Sequence, residues 1–516
     1  MHVLGIDGGT EGVRAFVFNT DDGSVVSSHA VPYTTSYPRP AWAEQSPAEW
    51  WNQLGVAVRG AVGLAASAGL TTFTTLCVDT TCCSVCALDA AGDALRPALL
   101  WADVRAVAQA ARVAATGDSG LCVNGGGPVS AEWFIPKCLW LSDEEPATFA
   151  AAKYIVEYQD FINFQLTGRM VASTTNASVR WHWVDGVAPP ISLLGSLGLS
   201  SLLSKMPHAA LAPGAHVGGL TPAAAAHLGL PPGLMVAQGG ADAFIGMLGL
   251  GVVRPGMLAL LTGSSHLHLG VTSSRAHGKG VWGAYGGVLP LPGASPCFIL
   301  EGGQTSTGSV AAWVRRLVSS DQNSLVPYAL LDSEAAAVPP GCEGLLCLDH
   351  FQGGRTPITD GESRGAFVGL TLRHSRGHLF RAVLEGVAFG TRAVLEAMAA
   401  LPVPFKPDVI AIAGGAARSP LWLQLTADVV GLPLRVTRCG DAPALGCAML
   451  AAVAAGAHAD VGAAAAAMVQ VERVVTPNAA AHEAYTRVYE AYKLLYAATS
   501  PVVRAAAAAS ARTSRG

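Results

Sequence analysis

The residues whose types suit chemistry are a few acids and hydroxyls set in glycine-rich turns. Gln238-Gly239-Gly240-Ala241-Asp242-Ala243 holds one carboxylate in an apolar run with no Lys or Arg nearby. Such a carboxylate is costly unless it is used or hydrogen-bonded. Asp242 can act as a general base toward a substrate hydroxyl, or cap a helix N-terminus, and the two roles are compatible. Gly5-Ile6-Asp7-Gly8-Gly9-Thr10-Glu11-Gly12-Val13-Arg14 places a tight glycine turn between two strands. Backbone N–H groups in such a turn can approach phosphates. Gly9 gives that access, Thr10 offers a hydroxyl and Arg14 a positive charge. Asp7, at the strand end, can hold Mg²⁺ or its water shell. The plainer alternative is a hairpin whose glycines supply positive φ. Leu261-Thr262-Gly263-Ser264-Ser265 is a second hydroxyl-rich turn, and the two turns together could clasp a triphosphate. Ala413-Gly414-Gly415-Ala416-Ala417-Arg418-Ser419-Pro420 joins strand, glycine turn and helix start, the arrangement of a nucleotide or anion site. As a lone diglycine it is a weak signal.

The elements that must position these groups follow from the hydrophobic pattern. His2 to Ile6, Val13 to Asn19 and Ser24 to Val31 read as strands, with Asp22-Gly23 as a hairpin turn. Ser46-Pro47-Ala48-Glu49 is a helix start, with Ser as cap and Pro in the first turn. The same grammar returns at Met257 to Leu261, His266 to Val271 and Val409 to Ala413, followed by a helix over 419–430. The repetition predicts an internally duplicated α/β architecture with a central cleft. The boundary is expected near the Gly246, Gly249, Gly251 and Pro255 cluster, giving domains over 1–250 and 251–495. A flexible Ala/Ser/Arg tail is expected over 496–516, fraying from Thr499.

Composition removes other classes. The chain has 516 residues, 32 Lys+Arg against 36 Asp+Glu, and a formal charge of −4, so no basic excess exists to neutralise nucleic acid. An apolar fraction of 51% excludes wholesale disorder. No uninterrupted apolar run suits a membrane span. The Ala-rich stretch around 450–470 is read as helix. Cys83 and Cys86 form a CxxC pair without a second pair, so the cysteines are read as reduced structural thiols. With no signal peptide visible, a cytoplasmic setting is expected, unless an import segment once preceded Met1. His266 and His268 share a strand face but lack a third ligand and are read as structural. Gly361-Glu362-Ser363-Arg364-Gly365 fits a hydrolase pattern, but a polar loop precedes it and an apolar strand follows, the reverse of what that motif needs. No Walker-type phosphate loop occurs. Most tryptophans are read as core, with Trp101 the exception as a possible sugar platform.

Taken along the chain, the four glycine segments resemble the FGGY family of carbohydrate kinases. The most specific feature is Gly365-Ala366-Phe367-Val368-Gly369-Leu370, then seven residues, then 378–386 from His378 to Gly386, which fits the family's C-terminal signature at every constrained position. The resemblance spans residues 3 to about 490. It implies the actin-like ATPase (RNase H-like) fold, with ATP and sugar in the cleft between two domains. It implies that Asp242 is the catalytic base. Asp7 lies by the Mg²⁺, and Thr10 and Arg14 match phosphate-loop positions. Thr262 and Gly263 match the second phosphate loop, Gly308 a nucleotide-contacting glycine, and Gly415 and Ser419 the adenosine side, beside Gly414.

The N-terminal family signature is met only in part, by 134–141, and Glu11-Gly12 replaces the usual hydroxyls. The position that reads Met-His in xylulokinases and Arg-Glu in glycerol kinases is Cys82-Cys83 here. Val78-Asp79-Thr80-Thr81-Cys82-Cys83 is similar instead to ribulokinases, as are Trp101, Asp103 and Glu301, with Lys137 grouped beside them. The resemblance thus implies an ATP- and Mg²⁺-dependent kinase acting on the terminal hydroxyl of a ketopentose. D-Ribulose leads, ahead of L-ribulose, ribitol and xylulose. A homodimer is compatible with the sequence. Glu11 favours a different class, an idle nucleotide-binding regulator, whereas Asp7, Thr10, Arg14 and Asp242 favour an active enzyme.

Overall fold

The computed structural model describes residues 1–513 apart from 294, 322 and 323. Two sheets dominate. The first is built from β1 (His2–Gly8), β2 (Gly12–Asn19), β3 (Val25–Pro32), β4 (Thr75–Thr80), β5 (His216–Gly219) and β6 (Met235–Ala237) in the order β5-β6-β4-β1-β2-β3. Helix α1 (Pro47–Ser67) crosses its outer face, and the Ser46 side chain accepts from the Glu49 N–H as the sequence predicts. Helix α2 (Asp242–Gly249) follows β6.

The second sheet contains β7 (Met257–Thr262), β8 (His266–Thr272), β9 (Trp282–Gly286), β10 (Phe298–Gln304), β11 (Val409–Gly414), β12 (Leu434–Thr437) and β13 (Val471–Val475), ordered β9-β10-β8-β7-β11-β12-β13. Helices of this half include α3 (Gly308–Leu317), α4 (Arg376–Ala399), α5 (Pro420–Val430), α6 (Ala442–Ala454) and α7 (Ala479–Thr513). In both sheets three antiparallel strands are extended by two parallel ones: β3-β2-β1-β4-β6 matches β10-β8-β7-β11-β12 in order and direction. This common order is the structural form of the duplicated pattern.

The halves interlock. α6 comes from the second half, yet its Ala444–Ala452 face is buried with Val3, Phe18 and Cys77 of the first sheet and with Ile245 and Leu248 of α2. A Cβ on Gly446 would stand 2.2 Å from the Ile245 carbonyl oxygen, and one on Gly249 1.9 Å from that of Ala442. These positions admit glycine because the backbones nearly touch.

The C-terminal segment departs from expectation. It does not fray from Thr499 but remains helical through Thr513, while 514–516 lie outside the described residues. Tyr492 donates to Asp349 at 2.6 Å, Tyr496 to Asp360 at 2.8 Å, and Arg504 pairs with Asp360 at 2.7 Å. Alanine is the best helix former, and these three anchors hold the helix down. Of the described helices, none is long and apolar enough to cross a membrane.

Candidate active site

Parallel strands deliver acids at their C-terminal ends, where open α/β sheets place their ligands. Register sets Asp7 of β1 beside Asp79 of β4. Thr80 bridges Ala241, which brings in Asp242, the first residue of α2. The cap of α2 is Ala241, so Asp242 is not the N-cap that its sequence context allowed. Asp441, just before α6, completes a cluster of four acids around Arg14. Arg14 pairs with Asp7 and, at 2.7 Å, with Asp441.

One guanidinium does not balance four carboxyls. Burial raises Asp7 to about 6 against the opposing pull of Arg14. Burial, then the nearby Asp7 charge, raises Asp242 to about 7. Burial, Asp7 and Asp242 together push Asp79 well above the usual carboxylate range. Asp7 Oδ1 and Asp79 Oδ1 are buried without a hydrogen-bond partner. Hard oxygen donors, surplus negative charge and two orphaned oxygens fit Mg²⁺.

Asp242 also lines a cavity of about 320 Å³ between the two sheets. Its walls include Thr10, Cys82, Cys83, Trp101, Arg180, Trp282, Glu301 and Arg355. Glu301 is fully buried and accepts from Arg180 at 2.7 and 2.9 Å and from Arg355 at 2.6 Å. Both guanidinium groups lie over Trp282, at 5.1 and 4.0 Å. Trp101 Nε1 donates to Thr10 Oγ at 2.8 Å, joining this cavity to the phosphate-loop turn. A groove along Gly9, Thr10, Glu11 and Arg14 continues from it. Glu11 is exposed there, so water screens its repulsion of a phosphate.

A further cavity of about 610 Å³ lies in the second half, lined by Gly263, Gly308, Asp332, Phe380, Gly415, Ser419 and Trp422 among others. A Cβ on Gly308 would sit 2.4 Å from the Gly263 carbonyl oxygen, so glycine lets the two turns cross. Gly414 has φ of +99° and its Cβ position lies 1.9 Å from the Thr262 oxygen, a second place that requires glycine. Gly415 faces open space. Ser419 caps α5 and donates to Asp332 at 2.9 Å.

Three expected contact residues stand elsewhere. Lys137 does not line the sugar-sized cavity. It is fully buried, donates to the carbonyls of Cys83, at 2.9 Å, and Leu100, and so braces two loops of the wall. Asp103 is also behind the wall, accepting from Ala43 N–H at 2.7 Å and pairing with Arg105. It fixes the loop that presents Trp101. The Thr262 hydroxyl donates to Ala413 and accepts from Ala416 N–H, tying two turns together. In turn, Asp79, Arg180, Trp282 and Arg355 were not singled out as functional from the sequence. Only the strand register marks Asp79, and no motif marks the other three.

The comparisons with known proteins bear on the family and the fold. A ribulokinase of Shouchella clausii is 31% identical over 539 aligned positions, which cover 96% of this chain and 94% of that protein. A xylulose kinase of Klebsiella pneumoniae is 30% identical, covering 89% and 91% respectively. The crystal structure of a xylulose kinase from Rhodospirillum rubrum superposes with a TM-score of 0.85 at 29% identity, across 98% of this chain and 100% of that one. The two-domain architecture is therefore the actin-like ATPase fold of sugar kinases. Residues 2–249 match the N-terminal domain, and 258–455 the C-terminal domain, of one group of phosphotransferases. The chain belongs to the FGGY family of carbohydrate kinases, which makes it an ATP-dependent sugar kinase.

Proposed function

We propose that this kinase transfers the γ-phosphoryl group of ATP to the terminal hydroxyl of a ketopentose, D-ribulose before L-ribulose or xylulose, with the pentitol ribitol as the polyol alternative. The observation that carries the reading is the place of Asp242, on the wall shared by the 320 Å³ cavity and the acid cluster of the phosphate turn. Cys82 and Cys83 on the wall, in a segment similar to ribulokinases, and relatives bearing that name support the choice of sugar.

In this mechanism Glu301, held by Arg180 and Arg355, orients the sugar hydroxyls, and Trp101 covers one side of the ring or chain. Asp242 accepts the proton of the attacking hydroxyl at its carboxylate. Its raised pKa suits a base working near neutral pH. The turns at Gly9 and Gly263 present N–H groups to the phosphates. Gly308, Gly415 and Ser419 shape the adenosine side. Asp7 and Asp79 would hold Mg²⁺, which when bound with ATP neutralises charge on the transferring group. Closure of the halves about the α2–α6 seam excludes water from the cleft.

ADP release from MgATP, measured across pentuloses and polyols, tests the reading. Strong turnover with D-ribulose that disappears in Asp242→Asn is expected. ADP release indifferent to every sugar would overturn the substrate class. ATP binding without turnover would favour an idle regulator instead.

A further inference from the structure

Adjacent side chains in an extended strand point to opposite faces. Cys82 and Cys83, just beyond β4, do not. A φ of +64° at Cys83 turns the chain so that the two Sγ atoms stand 3.7 Å apart. Apart from glycine, few residues other than asparagine and aspartate adopt this backbone. A carboxylate oxygen of Glu157 lies near both, and the three donor atoms are all within 4.8 Å of one another. Among the described residues this is the one such group of three His, Cys, Asp or Glu donors.

The sulfur–sulfur distance is that of a metal chelate. Two thiolates about 2.3 Å from a tetrahedral zinc ion stand about 3.8 Å apart. Glu157 is held in place by Trp181 Nε1 at 2.6 Å, Asn176 Nδ2 at 2.7 Å and Cys83 N–H at 2.9 Å, and its carboxylate keeps acceptor capacity for one more partner. Charge also balances. Two thiolates and a carboxylate exceed a divalent ion by one negative charge, and the Lys137 ammonium, bonded to the Cys83 carbonyl, supplies one positive charge. Arg180, on the same cavity wall, shares the single Glu301 carboxylate with Arg355, so part of its positive charge also faces the thiolates.

We infer that Cys82, Cys83 and Glu157 form a binding site for one soft divalent cation of the zinc type, and that its occupation excludes the sugar. On binding, two S–H bonds break, two sulfur–metal bonds form, and two protons pass to solvent. Cys82 and Cys83 line the cavity and Glu157 is buried behind them, so an ion held on the two sulfurs stands at the wall against which substrate would lie. The exclusion of sugar rests on the function proposed above, whereas the metal binding does not.

Cadmium titration of the full chain provides the test, read by the ultraviolet thiolate-to-cadmium absorption band. One equivalent should saturate the band. Cys82→Ser and Cys82→Ala should each weaken binding by at least about 100-fold, the upper end of what losing a mere outer-shell partner costs. Cys122→Ser, at an exposed cysteine, should leave the band intact. Retained thermal stability and ATP binding confirm that the Cys82 variants fold. Zinc should displace cadmium, and a pentulose that the enzyme phosphorylates should shift the isotherm to higher cadmium. A band that survives both Cys82 variants overturns the site. A dithiol-dependent band that an accepted pentulose does not shift overturns the exclusion of sugar. If the enzyme accepts no pentulose, the proposed function fails, while the Cys82 variants still decide the metal site.

Discussion

Asp242→Asn separates a catalytic base from a structural acid, because the two roles move stability in opposite directions. Asparagine keeps the shape and can still accept from Ala243 N–H, which lies 2.6 Å from Asp242 Oδ1. It cannot take a proton from a hydroxyl, so kcat should fall by about 10²–10⁴-fold. The carboxyl is raised from 3.8 to about 7, first by burial and then by Asp7. At 1.36 kcal/mol per pK unit, that is about 4 kcal/mol of penalty on the ionised form. The side chain is partly open to the cleft, so water screens much of it. A carboxylate in the first turn of α2 also gains roughly 0.3–1 kcal/mol from the helix dipole, which asparagine loses. A net stabilisation on the order of 1–2 kcal/mol remains for the variant at pH 8 without Mg²⁺. With an unfolding entropy of about 2.1 cal/mol/K per residue, this chain should gain about 1–2 °C in Tm. The sign follows from linkage. A raised carboxyl pKa means that the fold binds the proton more tightly than the unfolded chain does. Wild-type stability from this group is therefore full below about pH 4 and is lost as pH rises through about 7. The advantage of asparagine should shrink between pH 7 and 4. Calorimetry at pH 8 and 5, beside a coupled ADP assay, reads both effects. A variant that is less stable at pH 8, or that keeps activity within tenfold, refutes the reasoning.

Further outcomes follow from other parts of the molecule. Below about pH 7, kcat/KM for the sugar should drop tenfold per pH unit, because only ionised Asp242 accepts the proton; a flat profile from pH 5.5 to 8 would contradict this. Arg355→Ala leaves Glu301 with Arg180 alone and should raise the sugar KM about tenfold, the loss of one charge-assisted hydrogen bond, while the ATP KM stays unchanged in steady-state kinetics. Gly446→Ala drives a methyl group against the Ile245 carbonyl and should cost about 1–3 kcal/mol, seen as a lower Tm. Tyr492→Phe strips a buried donor from Asp349 and should cost about 1–3 kcal/mol in denaturant unfolding if the C-terminal helix is docked as described.

The legible features were those that repeat or cap. Alternating apolar residues gave β1 to β3 and their counterparts β7 and β8, and Ser46 marked the start of α1. The glycine turns at Gly9, Gly263 and Gly415 do line the grooves around the cleft, because a turn's backbone conformation is written in its own residues. Side-chain partners across the fold were not legible. Arg180 and Arg355 are 175 positions apart and carry no motif, yet they meet on Glu301. Lys137 looks like a ligand-binding cation in sequence, and only its burial shows that it braces two loops. The docking of the C-terminal helix was not legible either, because it depends on the helix propensity of alanine together with the distant pull of Asp360 on Tyr496 and Arg504.

The most direct test of the account follows the phosphoryl group itself. With γ-labelled ATP, Mg²⁺ and D-ribulose, phosphorus and proton NMR of the product should show one phosphate ester on the terminal carbon, D-ribulose 5-phosphate, for each ADP formed. Label recovered only as inorganic phosphate, or left on ATP while other pentuloses also go unmodified, would contradict it.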